Sequence, residues 1–555
     1  MNSQYQSTPM DKTAHHHRRM VKCFSICLGI FIAILLAPGS VSNHAPNTMA
    51  QSVPTKSTYN TNSPHWSHIN ISDFGRDKGF YASGSIRNSA YEWYARHMDS
   101  TEMMMDTFHN RTYEADTKAS TMKALNPSMN VFGYDNDLFL CQHVACVEEL
   151  PVNTAFGEIP EEYFLHFSQD THIDYYLYDG TPHGSVDIPG CPEPGPVTAA
   201  CRVQVYGFTR DKMWVFNMKN LTWRTWFADH LLDEMEYDRN DVYNPVDTLF
   251  LDLHGPGWSV AMYLSTSNII QSGGNLREYN GLGPSTTLDT EYNNDVSAWL
   301  AYMRTRLEAQ GKSLRINTAE YFTTTLSFQQ ATAANGTMTE HLNKATSHVY
   351  GATKYQQTIN QIRQLAVSGG TVDFAASMCD NGPVGFPAGN YTTGLERYRM
   401  WNLASYYMAK ESISETGKVY FDPNLCINSA STTPVQDLDG QWLAAYEYNV
   451  GQPVSDMMVA QHGTVSCDGQ GYSIFSRQYT NARILVRSRD GGGCQDYGDT
   501  TAISLALDAP MVMLKPDGTI SAPMTSVSIR NAEAVILFPA PDIMPPAAVQ
   551  DLTAT

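Results

Sequence analysis

Short apolar runs alternate with amphipathic stretches from Met129 to Met408, and this alternation constrains the fold more than any other feature. The apolar run Thr248–Leu251 is followed by apolar residues at helical spacing over 296–307. Met213–Asn217 has the same character and also precedes an amphipathic stretch. Strands that are apolar throughout, each followed by a helix, are typical of a parallel sheet covered by helices. The sequence therefore predicts an α/β fold.

Two architectures fit this alternation, a closed (β/α)₈ TIM-type barrel and an open doubly wound sheet. No G-x-G-x-x-G loop follows any of the strands, which disfavours an open nucleotide-binding sheet. We therefore predict a barrel over residues 66–435. Beyond it, period-two patterns such as Tyr472–Ser476 and Ala482–Val486 predict a small all-β sandwich over residues 436–542.

The amino-terminal segment has the layout of a secretory signal. Basic residues precede the 15-residue apolar run Cys23–Ala37, and small residues follow at Ser40–Ser42. A bilayer-spanning helix needs roughly 20 residues, so cleavage is favoured over a retained anchor. We expect a signal peptide over residues 1–42, a flexible linker over 43–65 and a secreted, extracellular protein, with a signal-anchored or cell-surface form as the alternative. Residues 543–555 are expected to be a linker or the start of a fibronectin type III-like module.

The cysteine count agrees with export. Of the 10 cysteines, Cys23 and Cys27 belong to the signal, which leaves an even number that implies disulfides. Proximity in the sequence favours the pairs 141–146, 191–201 and 467–494, which leaves 379–426. A zinc site is disfavoured because the chain lacks C-x-x-C pairs and suitable histidine spacing, so we expect no metal and no cofactor.

The charge balance limits the classes of partner. The formal net charge is −20, which disfavours nucleic acid and anionic membrane surfaces, and no membrane association is expected once the signal is removed. The oligomeric state is left open.

Two segments with the same layout contain the candidate catalytic residues. Asp247–Asp252 and Asn335–Glu340 each run from a turn residue through four strand residues to an acid. Barrel active sites form at the carboxyl ends of the strands, so Asp252 and Glu340 would both reach the cleft. Glycosidic cleavage needs two such carboxylates, one as general acid and one as nucleophile or base. The alternative for either residue is a helix N-cap or a salt-bridged core acid.

Six further residues follow strands and are candidates for substrate binding. Each has a plain structural alternative, such as a turn, a core ion pair or a packed aromatic ring. They are Tyr134, Asp135, Asp137, His254, Trp258 and Glu320.

Several segments resemble the endo-α-1,4-polygalactosaminidase-like group of (β/α)₈ glycoside hydrolases. The matching pieces are Met122–Pro127 with Val131–Tyr134, Asn217 with Trp223 and Trp226, Asp247–Asp252, Asn335–Glu340, Arg399–Tyr407, and the strand pattern Phe475–Val486. The resemblance implies a barrel that acts on glycosidic bonds in a polysaccharide or other glycan, with acids on the fourth and sixth strands.

Other functional classes are open to test. A non-catalytic extracellular carbohydrate-binding or adhesion protein would need no facing pair of carboxylates. A serine esterase is disfavoured because the chain has no G-x-S-x-G elbow, and a zinc peptidase because it has no H-E-x-x-H.

Overall fold

The structure is a computed structural model of the 555-residue chain. It describes residues 69–73, 85–104, 118–135, 139–141, 153–154, 157–176, 182–206, 212–236, 243, 245–252, 270–272, 274–283, 285–318, 325–339, 351–374, 388–423, 425, 433–464, 471–488 and 501–540. Residues 51–555 belong to one compact unit. The predicted signal peptide, linker and carboxyl-terminal module start lie outside the described residues.

The described residues contain eight α-helices and 22 strands. The helices are α1 Ser85–His97, α2 Lys118–Leu125, α3 Leu221–Glu234, α4 Thr286–Glu308, α5 Thr325–Ala334, α6 Gly351–Val367, α7 Gly394–Ala409 and α8 Pro434–Asp439. The strands are β1 Ser72–Asp73, β2 Ser100–Met104, β3 Asn130–Asp135, β4 Phe139–Cys141, β5 Asn153–Thr154, β6 Gly157–Glu158, β7 Thr171–Tyr176, β8 Pro182–Ile188, β9 Gln204–Tyr206, β10 Lys212–Val215, β11 Thr248–Leu251, β12 Ile270–Ser272, β13 Ser313–Asn317, β14 Gly336–Met338, β15 Thr371–Phe374, β16 Lys418–Phe421, β17 Met458–Thr464, β18 Gly471–Gln478, β19 Arg483–Arg487, β20 Ile503–Met513, β21 Met524–Ile529 and β22 Glu533–Pro539.

Eight strands form a parallel barrel. Their order is β1-β2-β3-β11-β13-β14-β15-β16, and every neighbouring pair is parallel. Ile71, just before β1, bridges Phe421 of β16 in parallel, so the first and last strands meet and the sheet closes. One helix follows each strand, as in a (β/α)₈ barrel. The predicted barrel is confirmed.

Polar side chains reinforce the closing seam. The backbone N–H of Phe421 donates to the carbonyl of Asn70 at 2.7 Å. The Glu411 carboxylate accepts from the Asn70 side chain at 2.7 Å and from the Val419 backbone N–H at 3.1 Å. This one carboxylate therefore ties both edges of the sheet together.

Local sequence signals set the ends of several helices. The Asn220 side chain caps α3 by accepting from two backbone N–H groups, and Thr393 with Glu396 forms a capping box at α7. Gly311 follows α4 with a φ of 72°, a conformation that glycine adopts without steric cost. The helix end predicted at Gly311 is confirmed.

The barrel interior combines apolar and charged side chains. Alternate residues of each strand face inward, and Phe132, Phe250 and Met338 form a cluster separate from the main core. Arg315 and Asp373 lie in the same interior, with side chains that are 1% exposed and bonds of 2.9 and 2.8 Å between one guanidinium nitrogen and both carboxylate oxygens. Burial raises the pKa of the Asp373 carboxyl, and the charge of Arg315 opposes that rise.

Two long connections carry small antiparallel sheets. The β3–α3 connection contains β4 to β10, and the β11–α4 connection contains β12. Both leave the carboxyl ends of barrel strands. We expected Met213–Asn217 to belong to the parallel series, and this was wrong, because β10 pairs antiparallel with β4 and β9. Because β10 directly precedes α3, the two together have the local sequence pattern of a strand–helix unit. The barrel strand that α3 follows is β3.

The carboxyl-terminal region is an antiparallel sheet of order β17-β18-β19-β22-β20-β21. One face packs against the barrel helices, and the other encloses a second apolar cluster that includes Ile474, Leu485 and Leu537. Arg487 of β19 donates to the carbonyl of Ile529 in β21 at 3.2 Å, although these strands are not neighbours in the sheet. The sheet therefore curls over itself, and the predicted β-sandwich is confirmed as a sandwich-like domain.

Helix α7 is shared by the barrel and this β domain. Its residues 397–409 are all buried, since one side faces β16 and the other faces β19 and β22. The fully buried guanidinium of Arg477 donates to the carbonyls of Tyr407, Met408 and Lys410 at 2.9, 3.0 and 2.7 Å. A cation from the β domain thus satisfies carbonyls at the carboxyl end of a barrel helix.

The predicted disulfide Cys191–Cys201 is confirmed. The other three predicted pairs each include a cysteine outside the described residues. Within the described parts of the chain, none of the helices combines the length and apolar character that a membrane span requires.

The substitution Arg477→Met should lower the free energy of unfolding by roughly 3 kcal/mol or more, because it removes the hydrogen bonds from a charged donor to three buried carbonyls at the end of α7. Urea unfolding followed by tryptophan fluorescence measures the change. Arg483→Met is the matched control, since Arg483 on the adjacent strand pairs with an Asp508 side chain that is 97% exposed. Equal losses for the two variants would contradict this account of α7.

Candidate active site

Asp252 lies at the carboxyl end of β11, the fourth strand of the barrel. Its backbone N–H donates to the carbonyl of Asp135 at 2.9 Å, which extends the β3–β11 ladder by one residue. The residue is 4% exposed. The strand pairing therefore holds the backbone of Asp252 in place at the mouth of the barrel, where active sites of this fold are built.

Both oxygens of the Asp252 carboxylate accept hydrogen bonds. The Asn317 side-chain amide donates to Oδ1 at 2.8 Å, and the Tyr134 hydroxyl donates to Oδ2 in a short hydrogen bond. The donors come from β13 and β3, the strands on either side of β11. Neutral donors on both sides therefore fix the orientation of the carboxylate.

Aromatic packing below the carboxylate fixes the Tyr134 ring. The ring stacks on Phe250 with 5.8 Å between centroids, and Phe250 contacts Phe132 at 5.9 Å. Met338 of β14 completes this apolar floor. An apolar floor strengthens the hydrogen bonds above it, because a low local dielectric favours charge–dipole interactions.

Sequence reasoning identified Tyr134 and Asp252 but missed Asn317. Asn317 is 6% exposed and is the last residue of the strand Ser313–Asn317. It therefore lies at the carboxyl end of its strand, where Asp252 also lies relative to β11. The sequence signal for Asn317 was an amide at the end of a strand. This signal is weak, because an amide does not itself take part in proton transfer.

A second missed residue repeats the layout of the catalytic candidates. Asp422 directly follows the eighth barrel strand, Lys418–Phe421, just as Asp252 follows Thr248–Leu251. It is 3% exposed, and its backbone N–H donates to the carbonyl of Phe374 at 3.3 Å. The end of the eighth strand therefore also bears a buried acid.

Among the predicted substrate-binding residues, the structure describes Tyr134 and Asp135. Asp135 is 2% exposed and adjoins Tyr134 on β3, so strand alternation places it on the opposite face of the sheet. The structure brings Tyr134 and Asp252 into contact and does not place the Asp135 side chain beside them. The other candidates lie outside the described residues: Asp137, His254, Trp258, Glu320 and Glu340.

Glu340 comes directly after Thr339 in the chain. Thr339 is buried and donates its backbone N–H to the carbonyl of Asp373 at 3.0 Å. The strand before it, β14, is the sixth of the barrel, and Asp252 follows the fourth. The position of the Glu340 side chain lies outside the described residues, so its place in the site stays a prediction.

Among the described residues, no group of three or more His, Cys, Asp or Glu side chains is arranged to hold a metal ion.

No family model matches this chain, and no curated protein matches it. Similar solved structures include a cycloisomaltooligosaccharide glucanotransferase of Paenibacillus sp. complexed with cycloisomaltoheptaose, at 8% identity over 86% of this chain and 85% of that chain, with a TM-score of 0.42. An alpha-amylase from Malbranchea cinnamomea matches at 9% identity over 85% and 97%, with a TM-score of 0.40. The Nostoc punctiforme debranching enzyme soaked with acarbose matches at 10% identity over 86% and 100%, with a TM-score of 0.41. The barrel assignment rests on the strand order and pairing of the chain itself.

Proposed function

We propose that this protein is a secreted glycoside hydrolase that cleaves glycosidic bonds with Asp252 and Glu340. The observation that carries the proposal is the Asp252 carboxylate, held at both oxygens by Tyr134 and Asn317 at the carboxyl end of a barrel strand. A carboxylate oriented in this way can act on a reacting carbon or on a water molecule.

The hydrogen bonds favour one role for Asp252. Both of its oxygens accept, whereas a general acid must carry a proton and donate it to the leaving oxygen. Asp252 therefore suits the nucleophile or the base. The neutral donors also keep its orientation without neutralising its charge.

Glu340 is proposed as the general acid. It comes directly after the buried Thr339 at the end of the sixth strand, and barrel catalytic groups come from the ends of different strands. In the proposed reaction Glu340 protonates the glycosidic oxygen as the bond to carbon breaks. If Asp252 attacks that carbon, it forms a covalent ester with the sugar; water that loses a proton to Glu340 then displaces Asp252 and restores both residues. If Asp252 instead removes a proton from water, that water attacks the carbon directly. By either route the sugar leaves with a hydroxyl group derived from water.

The remaining candidates are assigned to substrate binding. Tyr134 is proposed to act through its hydrogen bond to Asp252, and the side chain of Asp135, on the opposite face of the sheet, is left out of the proposed site. The other residues are proposed to contact sugar hydroxyls or rings. They are Asp137, His254, Trp258 and Glu320. The resemblance to the polygalactosaminidase-like group makes amino-sugar polysaccharides the first substrates to examine. Export follows from the predicted signal and the cysteine content.

The first test is a screen of amino-sugar and neutral polysaccharides with the wild type, Asp252→Asn and Glu340→Gln. Both variants should lose at least about 1,000-fold in kcat, because each lacks a group that acts on the reacting bond. Asp247→Asn is the matched control. Asp247 directly precedes the same strand at the opposite end of the barrel, where it pairs with Lys123 and accepts from the Val131 backbone N–H, so this variant should remain active.

Aryl glycosides separate the two roles. A leaving group of low pKa needs no protonation, so Glu340→Gln should regain activity on such substrates and Asp252→Asn should not. Activity that survives both substitutions would refute the assignment. A folded wild type that binds glycans and turns none of them over would favour the carbohydrate-binding alternative.

The substitution Tyr134→Phe removes one hydrogen bond to Asp252 and leaves the ring on Phe250. A hydrogen bond to a charged group contributes about 1.5–3 kcal/mol, so kcat should fall roughly 10- to 100-fold with little change in KM. Tyr355→Phe is the control, since the Tyr355 hydroxyl bonds to Ser405 between two outer helices. Steady-state kinetics of the two variants measure the difference, and an equal kcat for both would argue against a role for Tyr134.

A further inference from the structure

Two long connections leave the barrel near Asp252, and the described residues show that they are joined. Strand β12 from the β11–α4 connection pairs with β7 from the β3–α3 connection. Phe167 bridges Leu276, and the Arg277 backbone N–H donates to the carbonyl of His166 at 2.9 Å. The described residues that precede α4 therefore lie along the surface of the other insertion.

A buried histidine lies at this junction. The His166 side chain is 0% exposed, and each ring nitrogen faces a carboxylate oxygen. Nδ1 lies 2.7 Å from Glu278 Oε1, and Nε2 lies 3.0 Å from Glu161 Oε1. Glu278 also accepts from the His166 backbone N–H at 2.9 Å, so it holds this residue at two points.

The second cation at the junction is Arg202. It donates to both oxygens of Glu161 at 2.6 and 2.5 Å, and its guanidinium lies over the rings of Phe164 and Trp214, 4.2 and 4.3 Å from their centroids. We call Glu161, His166, Arg202 and Glu278 the clamp. It spans both insertions, because Glu278 belongs to the β11–α4 connection and the other three to the β3–α3 connection.

Hydrogen-bond chemistry defines the charge state of the clamp. A carboxylate only accepts, so a ring placed between two carboxylates must donate from both nitrogens, and only the imidazolium does so. Two anions then balance two cations in a buried site. A neutral ring would present a lone pair to one carboxylate and leave the clamp with a net negative charge.

Arg277, beside Glu278, makes a second attachment. Its guanidinium donates to the carbonyls of Cys191 and Pro196 at 3.1 and 3.3 Å, and in a short bond to Gly195. These carbonyls lie in the loop that the Cys191–Cys201 disulfide closes. Lys219 donates to the Glu278 carbonyl at 3.0 Å. Arg277 and Lys219 therefore tie this segment to the β3–α3 connection.

We propose that the clamp is a proton-dependent lock that positions residues 274–283, the described end of the β11–α4 connection. His166 and Glu278 are positioning residues in this scheme. Its effect on catalysis rests on the proposed glycosidase function, whereas the lock itself does not.

The pH window follows from the partners. Burial acts to raise the pKa of the Glu161 carboxyl, but the hydrogen bonds from Arg202 and His166 outweigh it and hold that pKa below its usual value. The stabilisation from Glu161 is thus present at neutral pH and is lost only as the pH falls through this lowered value. A His166 ring with one proton fewer would donate to only one of the two carboxylates, so the contact between the two insertions depends on that proton. The charged groups that face His166 are Glu161 and Glu278, with Arg202 behind Glu161 and Arg277 and Lys219 flanking Glu278.

Hydrogen–deuterium exchange of peptides within residues 274–283 tests the lock without any substrate. Exchange corrected for the intrinsic rate should be slow at mildly acidic pH and should accelerate about 10-fold or more in alkaline buffer. His166→Gln presents one donor and one acceptor, as a neutral ring does, so it should exchange fast at both pH values.

His172→Gln is the matched control. His172 also lies between two carboxylates, those of Asp187 at 2.6 Å and Asp174 at 3.2 Å, but its side chain is 56% exposed on β7. This variant should exchange like the wild type. If His166→Gln fails to fold, two other measurements test the lock. The first is the pH dependence of exchange in the wild type. The second is the milder variant Arg277→Lys, which should accelerate exchange several-fold.

The outcomes are separable. Exchange of the wild type that does not change with pH, or equal exchange in His166→Gln and the control, would overturn the lock whatever the protein does. With an active substrate in hand, His166→Gln should raise KM and flatten the alkaline limb of the kcat/KM profile, whereas a simple loss of stability would lower active enzyme equally at every pH.

Discussion

The rest of the structure depends on the closure of the parallel sheet between β1 and β16. The pairing of Ile71 with Phe421 and the double contact of Glu411 make a ring out of what would otherwise be an open sheet. Only in a ring do the carboxyl ends of all eight strands surround one mouth. Tyr134, Asp252 and Asn317 meet because β3, β11 and β13 are consecutive in that ring. The geometry of the site is thus a consequence of the strand order.

The carboxyl-terminal domain contributes to the same closure from outside. Helix α7 lies between the last two barrel strands in sequence, and Arg477 and Tyr479 of the β domain both donate to the carbonyl of Tyr407 near its end. The Trp401 indole donates in return to the carbonyl of Arg487 at 3.0 Å. Because each side supplies partners for buried polar groups of the other, barrel and β domain are expected to unfold together.

The parts of the fold that could be predicted from the sequence are those with local signals. Apolar strands such as Thr248–Leu251, the helix end at Gly311 and the near-neighbour disulfide Cys191–Cys201 all depend on residues close in the chain. The parallel character assigned to Met213–Asn217 failed because pairing partners are a long-range property. A strand that precedes a helix has the same local pattern in either kind of sheet.

The residues of the candidate site also separate into those with a local sequence signal and those placed by long-range contacts. Asp252 was found because an acid after a strand is a local pattern, but the role of Asn317 depends on a contact across 65 residues. The contact between His166 and Glu278 spans 112 residues and joins two separate insertions. Such contacts depend on which elements pair across long stretches of chain, and the local periodicity of the sequence does not report that pairing.

The central claim is that Asp252 and Glu340 face each other across one cleft at the barrel mouth. A crystal structure of the protein, preferably with a bound oligosaccharide, measures this through the distance between the two carboxyl groups. The account predicts roughly 5 to 10 Å, with the value within that range distinguishing a nucleophilic Asp252 from one that activates water. A much larger separation, or carboxylates that point into different surroundings, would contradict it.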